Sequence, residues 1–77
     1  MQSTNENEIK LGIYRHFKGN IYELVSIARH SENPDIKMAV YRSVGNPEEY
    51  WVRPLTMWNE SVEHDGKIVK RFEYIGE

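Results

Sequence analysis

Four arginines of this chain stand among aromatic and aliphatic neighbours: Arg15 follows Tyr14, Arg29 follows Ala28, Arg42 follows Tyr41, and Arg53 comes two residues after Trp51. A guanidinium keeps its charge at any physiological pH, so one held against apolar groups requires a carboxylate, a carbonyl or a bound anion. If several of them converge beside Tyr14, Tyr41 or Trp51, they make an anion site with a stacking wall. Phosphate, a nucleotide or a single-stranded nucleic-acid backbone suits such a site, as does an acidic protein segment. The competing reading is architectural. Each arginine then pairs with an internal acid such as Glu23, Glu32, Glu60 or Glu73, and perturbed charges often have no other role. Arg29 and Arg42 lie near the ends of their segments, where a long side chain snorkels outward. The spacing leaves both readings open.

Other constellations carry less. His16, His30 and His64 fall on three segments, without the i, i+4 spacing of a helical zinc pair, and the chain has no cysteine; no metal site is expected. His30 and Ser31 are sequence neighbours and point to opposite sides of an extended chain, and no glycine-flanked serine elbow is present. Glu48 with Glu49, and Glu60 with Glu63, read as solvated loop acids. The five glycines are scattered turn residues rather than a phosphate-cradling loop. The expectation is a protein that is not an enzyme and needs no cofactor.

The elements that must position these residues have little material to draw on. A chain of 77 residues holds one domain at most and buries only roughly 60% of its extended surface. Aromatic residues make up 12% of it, and most of Trp51, Trp58, Tyr22 and Phe72 are needed for the core. Without cysteine there is no disulfide framework, which points away from stapled secreted miniproteins. The polar start MQSTNENEIK is unlike a signal peptide and no apolar run reaches membrane-spanning length, so the expected location is cytoplasmic. The net charge of −2 means that the molecule as a whole does not attract nucleic acid; any such attraction must be local.

Residues 1–10 read as a frayed tail and 11–77 as a single domain. Gly12–Phe17 is a first strand, and Lys18-Gly19-Asn20 a turn. Ile21–Ala28 follows as a strand whose strict alternation puts Ile21, Val25 and Ile27 on one face and Tyr22, Leu24 and Ala28 on the other. His30–Asp35 is a polar loop, Ile36–Ser43 a third strand, Gly45–Glu49 a turn, and Tyr50–Pro54 a fourth strand that Pro54 ends or leaves at an edge. Leu55–Glu60 makes a helical turn capped by the Thr56 hydroxyl. Asp65-Gly66 has the composition of a two-residue hairpin turn between Ser61–His64 and Lys67–Arg71, and Phe72–Ile75 adds a strand or covers one end. These features predict a mainly β fold, a small antiparallel SH3-like barrel of about five strands with a short helical turn.

The runs Tyr14-Arg-His-Phe-Lys-Gly-Asn20, Ala28-Arg-His-Ser-Glu32, Val40-Tyr-Arg42 and Trp51-Val-Arg-Pro-Leu55 resemble a family of short bacterial proteins, the domain of unknown function 1653. The resemblance spans roughly Gly12 to Tyr74; Gly45–Glu49 departs from it, in place of a turn containing Gly-Asp. It implies no reaction, ligand or catalytic residue. From the residues themselves the leading expectation is a binding module with Arg15, Arg29, Arg42, Arg53, Tyr14, Tyr41 and Trp51 on an anion-binding rim. RNA, a nucleotide or an acidic protein segment would be its partner. The rival is a protein-interaction domain that uses an apolar groove or a sheet edge.

Overall fold

The structure, a computed structural model, describes residues 9–76. In chain order its elements are β1 (Gly12–His16), β2 (Ile21–Arg29), β3 (Lys37–Ser43), β4 (Asn46–Pro54), α1 (Leu55–Trp58), β5 (Ser61–His64), β6 (Lys67–Lys70) and β7 (Phe72–Gly76). Most of the tail expected over residues 1–10 lies outside the described residues. Ile9, at its end, packs against the core.

Five strands form an antiparallel sheet in the order β4-β3-β2-β1-β7, and β5 and β6 form a separate hairpin. The sheet does not close into a barrel: β4 and β7 terminate the order. The expected SH3-like closure is corrected on this point, and the remaining description, antiparallel and mainly β with one short helix, stands.

Turn chemistry sets several boundaries. Asp65 and Gly66 take φ of 55° and 79°, the mirror-image turn that matches strand twist, so β5 and β6 pair as the sequence predicts. The β1–β2 turn is closed by the Gly19 N–H on the His16 carbonyl at 2.7 Å and the His16 N–H on the Asn20 carbonyl at 2.8 Å.

Bulges change what alternation predicts. In β2 the register with β3 shifts between Leu24 and Ser26. One extra residue at Val25 reverses the facing of everything after it. Tyr22, Leu24 and Ile27 therefore share the core side, while Ala28 is exposed. In β4 the register jumps from Arg42↔Tyr50 to Ser43↔Asn46. Pro47, Glu48 and Glu49, read as a turn, are instead the bulged start of the strand. Thr56 does not cap α1: Pro54 holds the N-cap position and no side chain bonds there.

The core consists of Tyr14, Leu24, Ala39, Tyr41, Leu55, Trp58 and Phe72. Trp58 is 1% exposed and stacks on Phe72 with ring centres 3.7 Å apart. Tyr14 meets Trp58 edge-on at 5.2 Å. Trp51, by contrast, is 52% exposed and contributes little to the core.

Candidate functional site

The pairing of β1 with β7 brings His16 opposite Phe72 and Arg15 opposite Glu73. The chain then folds the hairpin against this end of the sheet. Two backbone bonds fix it there: the Phe17 N–H donates to the Arg71 carbonyl at 3.0 Å, and the Arg71 N–H to the Glu60 carbonyl at 2.8 Å. Between hairpin and sheet lies a cleft of about 420 Å³, lined by Arg15, His16, Phe17, Gly19, His64, Val69, Lys70 and Glu73. A cleft of that volume is in the range that small ligands occupy.

Its inner wall is a row of rings. Phe17 lies 4.6 Å from His16 and 5.2 Å from His64, centre to centre, and His16 continues edge-on to Phe72 at 5.0 Å. His16 Nδ1 accepts the Lys18 backbone N–H at 3.2 Å, which leaves the ring proton on Nε2. Burial, followed by the charges of Arg53, Arg71 and Lys18, holds His16 below the ordinary imidazole range. Three cations thus act on one half-buried ring.

Carboxylates stand beside some of the basic groups here and not others, and His64 Nε2 lies 3.6 Å from Asp65. Glu73 approaches Arg15 at 3.6 Å, with both side chains more than half exposed, so the contact is weak. Lys70 Nζ donates to Asn59 Oδ1 at 3.2 Å rather than to a carboxylate. Arg71 Nη2 reaches Glu60 at 3.2 Å, while its Nε is buried without a hydrogen-bond partner among the described residues. Arg53 donates Nε–H to the Tyr41 hydroxyl at 3.2 Å and lies over the rings of Tyr41 and Phe72 at 5.5 and 5.4 Å. It forms no ion pair among the described residues.

The four arginines singled out by sequence do not converge. Arg15 and Arg42 share the outer sheet face with Glu23 and Glu73, whereas Arg53, opposite the buried Ala39, lies on the inner face. Arg42 is internally committed: Nε donates to Glu23 at 2.9 Å, and Nη1 to the Tyr50 hydroxyl and the Pro47 carbonyl at 3.0 and 3.3 Å. The Glu23 hydrogen bond is the main cause of its raised pKa. Arg29 stands exposed at the end of β2, opposite Lys37. Tyr14 and Tyr41 are core residues at 6% and 7% exposure. The Tyr14 hydroxyl donates to the Lys10 carbonyl at 2.6 Å, and burial raises its pKa. Of the expected rim, Arg15 lines the cleft and Arg53 lies close enough for its charge to act on His16.

The cleft also uses residues that the sequence left unassigned: His16, Phe17, His64 and Lys70. His16-Phe17 precedes one turn and His64 precedes another, a visible pattern of rings at turn mouths. Their approach depends on how the hairpin packs, which no local spacing records. Among the described residues, no group of three or more His, Asp or Glu side chains is placed to hold a metal ion.

A family model described as "Protein of unknown function (DUF1653)" matches residues 12–74. The chain belongs to the DUF1653 family. It is similar to the crystal structure of a DUF1653 protein from Bordetella bronchiseptica, at 32% identity, with 94% of each chain covered and a TM-score of 0.81. No curated protein matches. The DUF1653 description carries no reaction and no ligand, so a functional reading must rest on the cleft itself.

Proposed function

We propose that this DUF1653 protein is a non-catalytic binding module whose cleft takes an anionic ligand carrying phosphate beside a base, as a nucleotide or single-stranded RNA does. One observation carries the reading: Arg15 and Lys70 line a cleft together with the rings of His16, Phe17 and His64, and the charges of Arg53, Arg71 and Lys18 act on His16 from nearby. On a chain of net charge −2, like charges so gathered repel one another, and a bound anion relieves that repulsion. Phe17 and the two imidazoles offer ring faces and edges for a base, with the guanidinium of Arg15 and the ammonium of Lys70 for phosphate.

The test is a backbone amide NMR titration with a short mixed-sequence single-stranded RNA, and with inorganic phosphate alone, at low and moderate salt. Salt-sensitive shifts at Arg15, His16, Phe17, His64, Lys70 and Arg71 are expected, because phosphate contacts weaken steeply with salt. The Glu23 and Arg42 amides should stay still. A spectrum unmoved by either ligand overturns the proposal.

A further inference from the structure

Among the described residues, strand β4 ends the sheet and pairs only with β3. A bare sheet edge presents unpaired N–H and C=O groups, and proteins commonly blunt such edges with charged residues, prolines or bulges, or cover them. Here the edge carries Tyr50, Trp51 and Val52, exposed at 55%, 52% and 60%. The bulge at the start of β4 and Pro47 and Pro54 blunt the ends of this edge, and among the described residues no further strand pairs with the stretch between them. The opposite edge, β7, is shorter and carries Glu73. Pro47 and Pro54 bracket the open stretch of β4; each lacks an N–H, so further pairing is confined to residues 48–53.

That stretch is complementary to itself. Two copies of β4 running antiparallel about a twofold axis through Trp51 set Tyr50 opposite Val52, Trp51 opposite Trp51, and Glu49 opposite Arg53, each mixed pair occurring twice. Glu49, Trp51 and Arg53 follow at the two-residue spacing that shares a sheet face, and Tyr50 and Val52 share the other. Both faces therefore match, ring and aliphatic on one, carboxylate and guanidinium on the other. Shifting the axis by one residue in either direction breaks the charge match. In the single chain the Arg53 guanidinium lies over the Tyr41 and Phe72 rings, with Nε on the Tyr41 hydroxyl, so pairing with Glu49 of the second copy requires it to swing from those rings to the strand edge.

We infer that the protein forms a twofold dimer through antiparallel β4–β4 pairing, joining two five-stranded sheets into one continuous sheet. The contact is isologous and closes on itself, so it stops at two copies.

The chain contains no cysteine, which allows the register to be read directly. In Trp51→Cys the two introduced thiols face each other across the axis, and oxidised glutathione should link them far faster than those of Ile68→Cys, a control position 74% exposed on β6. Sedimentation of the unmodified protein should show a concentration-dependent dimer. Glu49→Arg and Trp51→Lys should both shift it to monomer, the first by setting like charges opposite Arg53, the second by setting two ammonium groups face to face. Circular dichroism confirms that these exposed substitutions leave the fold in place. A protein that stays monomeric up to roughly 1 mM, the range of the weakest specific contacts, overturns the inference. So does a dimer that Glu49→Arg and Trp51→Lys leave unchanged, or cross-linking of Trp51→Cys no faster than of Ile68→Cys.

Discussion

Trp58 and Phe72 lie nearly parallel, 5° apart in plane with ring centres at 3.7 Å, and the neighbouring rings Tyr14 and Tyr41 approach Trp58 at 5.2 and 5.0 Å in tilted or edge-on orientations. One residue from the short helix and one from the last strand thus form the centre of a core made chiefly of rings. Removing Trp58 leaves a cavity that the rigid rings around it cannot fill. Trp58→Ala should cost about 3–5 kcal/mol, a large share of the stability of so small a domain. Trp51→Ala, at an exposed position, should change the urea midpoint far less. Comparable losses in the two variants would contradict this account of the core.

His16 gives the protein a specific pH response. Its folded-state pKa is lowered, first by burial and then by Arg53, Arg71 and Lys18, so the unfolded chain binds its proton more readily. The stability that depends on neutral His16 is complete above the ordinary value of 6.5 and declines as pH falls through the folded pKa. His16→Gln should flatten the difference in urea midpoint between neutral and mildly acidic pH. In an NMR titration the His16 ring should protonate below 6.5 in the free protein and at higher pH once phosphate is bound. An unshifted midpoint in saturating phosphate would place the anion elsewhere.

Arg42 and Lys70 separate architecture from binding. Arg42 is engaged by Glu23, Tyr50 and the Pro47 carbonyl, whereas Lys70 faces the cleft. Lys70→Glu should weaken RNA binding at least tenfold at low salt with little effect on thermal stability. Arg42→Ala should leave affinity within a factor of two and lower the melting temperature modestly. Affinities measured by fluorescence anisotropy decide between them, and the reverse pattern would move the ligand to the outer sheet face.

The hairpin turn offers a backbone test. Gly66 holds φ of 79° with open space where a Cβ would stand, so the cost of Gly66→Ala is conformational alone, about 1 kcal/mol. Asp65→Asn should be tolerated at φ of 55°, since asparagine accepts that region well. Equal stabilities for Gly66→Ala and the parent protein would argue against the turn.

What could be read from the residues was what local chemistry controls. Asp65-Gly66 announced its hairpin because the two residues needed for positive φ are adjacent, and Pro54 marked the end of an edge strand because it lacks a donor. The bulge at Val25 was not legible: alternation there is apolar on both parities, and only the partner strand decides which residue is left over. Arg42 and Arg53 looked equivalent in sequence, each beside an aromatic residue. Opposite sheet faces give one a carboxylate and the other a pair of rings. The cleft was the least legible part, because His16 and His64 are far apart in the chain and both reach Phe17, whose backbone bond to Arg71 holds the hairpin there.

The placement of β7 beside β1 constrains the order of events during synthesis. Sheet neighbours β1, β2, β3 and β4 emerge from the ribosome in sequence and can pair as they appear, yet Trp58 has no stacking partner until Phe72 follows. The half-formed sheet therefore waits with an aromatic face open to water and to other nascent chains. A transcript truncated even a few codons before Phe72 would yield a sticky fragment rather than a smaller working protein, a natural substrate for chaperones and proteases.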